Sequence, residues 1–381
     1  MNRREFIISS AAAGLSRRLG STSAASRIDH AALVKRHCPV LTGADIRSPL
    51  QVGNGEFAFT ADVTGLQTFA GEYLKGMPLG TLSDWAWHSF PNPEHYRLSE
   101  IMRPFDSHGR KVLYADGWEG PPRSTAGARI KRAVRWLRQN PHRIDLGRIG
   151  FILRKSSGEN ASINDIHGVH QRLDLTNGRL ESRFELEQQP VEATTICHPR
   201  HSILAVRVKS PLIPRRRLGI SLDFPYASGG WSNEEDWKST GRYRTEITQS
   251  QKSAVFDCVL DTTRYYVHTC WSAMSLWETA SPHHFQLFAP GQNELDLIFF
   301  FSPERPGAEL PHFEQIQTTT EQHWQEFWQS GAAIDLSAST DPRAGELERR
   351  VVLSQYLTAV NWLPTTRNYH ASITNISRND E

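Results

Sequence analysis

Apolar and polar positions alternate in short runs over most of this chain. The runs are Gln51–Phe59, Gly150–Arg154, Arg179–Leu186, Ser202–Val208, Arg217–Phe224, Arg242–Thr248, Ser253–Leu260, Arg264–Cys270 and Glu294–Phe301. Period two is the spacing of a strand with one buried face. Gly, Pro and Asn clusters separate the runs. Asn54-Gly55, between Val52 and the Phe57/Phe59 alternation, and Asn177-Gly178, after Leu173 and Leu175, predict type I′ hairpins, because both residue types tolerate positive φ. Many strands without interleaved helices predict an antiparallel sandwich, not a doubly wound sheet. The number of runs predicts a sandwich larger than an immunoglobulin domain. The most apolar run, Leu295–Phe301, is too short for a membrane span and reads as a buried strand.

Near residue 318 the period changes. Thr318-x-x-Glu321 fits a capping box, with Trp324, Phe327 and Trp328 following at helical spacing and Gly331 as a C-terminal cap. Asp341-Pro342 predicts the start of a second helix. Leu353, Tyr356, Leu357 and Val360 then form one apolar face, and Glu346 and Arg350 an i,i+4 pair. That face needs a cover. The text after Pro364 is polar and aperiodic, so the face is expected to be exposed.

Composition narrows the classes. The chain has 381 residues, 38% of them hydrophobic, enough for a large core. Its 43 Lys and Arg against 41 Asp and Glu leave a net charge of +2, which argues against a dedicated nucleic-acid or membrane-surface protein. The basic stretch Arg129–Arg138 and the run Arg215–Arg217 read as solvated surface or intramolecular pairing. Cys38, Cys197, Cys258 and Cys270 form no C-x-x-C, so zinc ribbons and thioredoxin-type sites are excluded. Buried free thiols or one disulfide both fit. At the N-terminus, Arg3-Arg4, an apolar stretch from Phe6 to Leu15 and Ser23-Ala24-Ala25 resemble a twin-arginine export signal over residues 1–26. The expected location is periplasmic or extracellular.

The candidate chemistry lies in two loops. Segment Ser48–Phe69 carries Asn54 and Glu56 at a turn. The Pro- and Gly-rich segment Pro78–Pro93 carries Trp85, Trp87 and His88. Aromatic rings beside Asn and acid groups suit the apolar and polar faces of a sugar. Packing of the tryptophans onto the sandwich is the alternative. The loop Gly229–Trp237 holds three consecutive acids. Adjacent acids do not make the separated carboxylate pair of a glycosidase, so it reads as a solvated turn. H-E-x-x-H, G-x-S-x-G, phosphate-loop and dinucleotide motifs are absent, so neither a metal nor a cofactor is expected.

Several stretches together carry a resemblance. Leu50-Gln-Val-Gly-Asn-Gly-Glu-Phe-Ala-Phe59 resembles the N-terminal region of six-hairpin glycosidase-like bacterial proteins. Trp85-Ala-Trp-His-Ser-Phe-Pro-Asn-Pro93 and Trp136–Gly150 fit the same group, as do Trp324–Leu336 and Asp341–Leu357. The group looks related to the maltose and kojibiose phosphorylase architecture. There a large β-supersandwich precedes a linker helix and an (α/α) six-hairpin barrel.

The resemblance covers about residues 31–362. It implies a mainly β chain, with a β-supersandwich over 27–315, a linker helix over 316–336 and the first barrel helix over 337–362. Residues 363–381 form a divergent tail. The family's catalytic carboxylates belong to the barrel, so no catalytic residue carries over. The expected chain is a truncated, exported glycoside hydrolase or phosphorylase-like protein, inactive by itself. Asn54, Glu56, Trp85, Trp87 and His88 are the candidate carbohydrate-binding residues. The alternatives are a non-catalytic carbohydrate-binding module, and a partner that docks its exposed helix onto a separately encoded barrel. No nucleic-acid or membrane partner is expected.

Overall fold

A computed structural model describes residues 28–116, 125–230, 235–307 and 309–361. The expected export segment, the centre of the acidic loop at 231–234 and the expected tail at 363–381 lie outside the described residues. The described chain is mainly antiparallel β-sheet with few helices. Five helices are present among the described residues: α1 His30–Arg36, α2 Ala70–Tyr73, α3 Thr125–Gln139, α4 Phe313–Ser330 and α5 Ala344–Asn361. None is long and apolar enough to cross a membrane.

The largest sheet has nine strands. Its order is Val40–Leu41, Ile166–Asp174, Arg179–Leu186, Gln189–Cys197, Ile203–Lys209, Glu294–Ser302, Thr263–Trp271, Ser253–Leu260 and Tyr243–Gln249, all pairs antiparallel. A four-stranded sheet, Trp277–Ser281, His284–Leu287, Leu218–Asp223 and Arg148–Leu153, contributes to the same core. Alternation explains the match. Leu180, Phe184 and Leu186 on one strand and Phe256, Cys258 and Leu260 on another point inward, meeting Ile220, Leu222 and Phe151.

The apolar run Leu295–Phe301 has a second cause. Leu295, Leu297, Phe299 and Phe301 enter the main core. Ile298 belongs to the other face, in a separate cluster with Ile196, Ile203, Phe313 and Ile316. Helix α4 thus covers the outer face of the sheet centre, and strands buried on both sides read as continuous apolar runs.

Three expectations are corrected. First, α4 starts at Phe313, with Gln315 reaching back to the His312 N–H at 2.8 Å. Thr318 sits inside the helix, its hydroxyl donating to the Glu314 carbonyl at 2.9 Å. Second, neither Asn-Gly pair makes a type I′ turn. At each, only the glycine has positive φ (Gly55 +90°, Gly178 +69°), whereas type I′ needs two such residues. Third, α5 is not left exposed. Ala344, Glu348, Val352, Tyr356 and Val360 are buried, one every fourth residue, as is Asn361 at the helix end, with Leu353 and Leu357 half-buried.

The cover for α5 comes from within the chain. Tyr356 stacks on Trp324 of α4 at 4.7 Å, and its hydroxyl donates to the Gln51 carbonyl at 3.1 Å. The Glu348 carboxylate accepts from Arg36 at 3.0 Å, His37 at 2.6 Å and the Leu336 N–H at 2.5 Å. All four cysteines are free thiols, two of them buried.

Candidate functional site

The strands Leu50–Gly53, Phe57–Ala61 and Thr81–Ser83 form a small sheet whose turns carry the candidate residues. Asn54 opens the first turn. Its Nδ2 donates to the carbonyls of His198 at 2.8 Å and His201 at 3.0 Å. Its Oδ1 accepts from the N–H groups of Glu56 at 3.0 Å and Phe57 at 2.8 Å. An amide has two donors and two acceptor sites, so Asn54 is fully used inside the protein. It is a strut between two turns, not a ligand contact.

Next along the turn, the Gly55 N–H donates to the Val360 carbonyl near the end of α5, at 2.9 Å. Glu56 follows. Its carbonyl accepts from the Asp84 N–H at 2.8 Å, so the two acids lie on adjoining turns. The Glu56 carboxyl is held above the usual carboxylate range. Burial is the main cause and the charge of Asp84 the second, while His201 opposes both.

Asp84 also anchors Trp87. The indole N–H donates to the Asp84 carbonyl at 2.9 Å, and the Arg143 guanidinium lies 4.4 Å over the ring. Arg143 reaches the Ser83 carbonyl as well. Glu56, Asp84, half-buried Trp87 and Arg143 therefore share one rim. His198 and His201 stand beside it, their rings 4.8 Å apart. Burial, then the neighbouring His201 and Arg200 charges, push the His198 pKa down to about 4.

The other two candidates face inward. Trp85 is half-buried against the main core, its ring 6.4 Å from Tyr265. Trp87 and His88 are a short strand paired with His142–Arg143, not a loose loop, and the pleat sends the two side chains to opposite sides. The His88 side chain is 0% exposed, so it points into the protein and does not reach the rim. It sits among Phe90, His142 and Tyr226. Its Nδ1 is 2.9 Å from the Thr263 hydroxyl, and Nε2 is 3.2 Å from Asp261 but out of line for a hydrogen bond. Burial, with His142 next, lowers its pKa to about 4, against the pull of Asp261. His88 is thus a neutral core histidine.

Asp84 and Arg143, which organise the rim, are additions to the five sequence candidates. Asp84 lies in the segment Pro78–Pro93, and its signal is an acid directly before Trp85. Arg143 is 60 residues from the turn it supports, and nothing local in the sequence marks it. Among the described residues, no group of three or more His, Cys, Asp or Glu side chains is placed to hold a metal ion.

No protein-family model and no curated protein matches this chain. Among solved structures, one described as a kojibiose phosphorylase from human microbiome aligns with 86% of this chain at 9% identity and a TM-score of 0.49. The chain spans 42% of that protein's length. A family GH92 α-mannosidase from Bacteroides thetaiotaomicron aligns with 58% of this chain and 34% of its own, at 8% identity and a TM-score of 0.28.

Proposed function

We propose that this chain is the β-supersandwich portion of an exported, carbohydrate-active protein of glycoside hydrolase or phosphorylase type. Its saccharide-facing surface is the rim of Glu56, Asp84 and Trp87. One observation carries the reading: a single backbone unit, Asp84, joins the Glu56 turn to the Trp87 ring through hydrogen bonds of 2.8 and 2.9 Å. A carboxyl that holds its proton unusually long, a second acid and an indole face are the pieces that recognise a sugar's hydroxyls and its apolar face. The same turn is bonded to the end of α5, so rim and helix end form one surface. On this reading the bond-breaking carboxylates come from a barrel beyond that helix. The described portion binds saccharide and does not cleave it.

The test is a titration of the full chain with neutral oligosaccharides of differing linkage, following Trp fluorescence and released reducing sugar. Saturable quenching without sugar release is expected. Trp87→Ala should weaken it at least about tenfold, the equivalent of roughly 1.4 kcal/mol, and Glu56→Gln should weaken it less. Quenching that survives Trp87→Ala, or no quenching with any oligosaccharide, would overturn the assignment.

A further inference from the structure

Residues 94–116 and 125–138 form a unit outside the main core. Ile101, Ala133 and Val134 make a small cluster of their own, with Tyr96, Ile130 and Leu137 packed against it. From this base a hairpin, Met102–Ser107 paired with Arg110–Ala115, extends with both faces largely in solvent. The unit is charged differently from the rest. It holds nine Lys and Arg against four Asp and Glu, an excess of five in a chain whose net charge is +2. Glu94 and Glu100 are taken up by Arg129. Arg110, Lys111, Lys131 and Arg135 have no ion-pair partner among the described residues.

Aromatic rings lie between these cations. Register places Arg103 opposite Tyr114, Phe105 opposite Val112 and Ser107 opposite Arg110. Cross-strand partners share a face, so Arg103, Phe105, Arg110 and Tyr114 are on one side of the hairpin. Phe105 and Tyr114 meet edge to face at 6.0 Å and remain 45% and 55% exposed. Helix α3 packs Ala133 and Val134 on Ile101, the residue before the hairpin, and Lys131 and Arg135 stand one turn apart, exposed, on a helix that carries no acid along its length.

We propose that this surface binds an anionic polysaccharide bearing uronate carboxylates or sulfates. Phe105 and Tyr114 lie against sugar rings, and Arg103, Arg110, Lys131 and Arg135 meet the acid groups. The inference rests on the carbohydrate reading above and adds a second, charge-selective surface to it. Charge excludes a second copy as the occupant, because both surfaces would be cationic. The hairpin tip, Ser107-His108-Gly109-Arg110, is polar and offers no wedge for a bilayer. The two rings stand at 73° to each other, not as parallel platforms for successive bases.

The experiment uses the full chain with polygalacturonate as probe and dextran as the neutral comparator, at low and physiological salt. Binding to polygalacturonate that weakens with salt is expected, with none to dextran at this surface. Lys131→Glu with Arg135→Glu should weaken it at least about tenfold and flatten the salt dependence. Phe105→Ala with Tyr114→Ala should weaken it while keeping the salt slope. Unchanged thermal unfolding shows that both variants fold. Trp87→Ala should leave polygalacturonate binding intact, so this surface and the rim fail separately. The proposal is overturned by no binding, by binding that both double variants retain, or by equal binding to double-stranded DNA or phosphatidylserine vesicles. Loss in Trp87→Ala alone overturns it too, while leaving the rim reading in place.

Discussion

Helix α5 and the hairpin Met102–Ala115 both lie at the periphery, yet they are treated in opposite ways. The helix presents an apolar stripe and the chain covers it: Tyr356 is 1% exposed and Val360 0%. The hairpin carries Phe105, Leu113 and Tyr114 and leaves all three in water, Leu113 at 60%. A sequence that can bury a remote helix under α4, α1 and a three-stranded sheet has the means to bury two strands. The contrast separates roles: α5 is part of the scaffold that fixes the Glu56 turn, and the hairpin is a surface held out for contact.

The comparison breaks first at Tyr356. Truncating a fully buried ring removes its transfer energy, leaves a cavity beneath Trp324 and orphans the Gln51 carbonyl. Tyr356→Ala should cost about 3–5 kcal/mol in denaturant unfolding. A loss under about 1 kcal/mol would mean that α5 is loosely attached and that the two regions do not differ. Limited proteolysis offers an independent check. Cleavage should concentrate in the hairpin, residues 102–115, and spare 336–361, since protection follows burial.

How far this was legible depends on where the pattern stayed regular. Eight alternating runs each overlie one strand, and the ninth, Gln51–Phe59, spans the turn between Leu50–Gly53 and Phe57–Ala61. The strand Ile166–Asp174 was not among them. A register shift between His167 and His170, with Gly168 at φ +60°, breaks its alternation. Helix α3 was hidden in a charge run, although Ile130, Ala133, Val134 and Leu137 follow helical spacing and face Ile101. The hairpin turn His108-Gly109 has positive φ at both residues, as type I′ requires, but histidine gives no such signal in a sequence.

At the site, the Glu56 and Trp87 turns are marked by local sequence. Nothing local shows that Asn54 is spent on carbonyls 144 and 147 residues away, or that His88 turns inward. The cover of α5 is hidden for a related reason. Its partners, Gln51 and Trp324, are distant in sequence, and an amphipathic face does not say who covers it.

A smaller effect is expected from acid, and it sharpens what covering means. His88 titrates near 4 in the folded protein, against 6.5 for an ordinary histidine. The folded state therefore binds fewer protons than the unfolded state between these values. Its contribution is fully present above pH 6.5 and is lost as pH falls toward 4. A downward shift of this size is worth roughly 3 kcal/mol. His198, also near 4 but partly exposed, adds a screened share. His88→Phe should flatten the fall in stability across that window. An unchanged pH profile in this variant would show that burial does not hold His88 neutral.

The smallest effect belongs to the hairpin. Phe105 and Tyr114 touch each other across the strands and little else, so their removal costs the folded protein only one exposed edge-to-face contact. Phe105→Ala and Tyr114→Ala should each change unfolding free energy by no more than about 0.5–1 kcal/mol, the range of exposed cross-strand pairs. Two strands with both faces wet gain little from their own side chains, and the fold does not lean on them. If either substitution instead costs as much as Tyr356→Ala, the hairpin is scaffold like α5. Its exposed rings would then need a structural explanation, not a ligand.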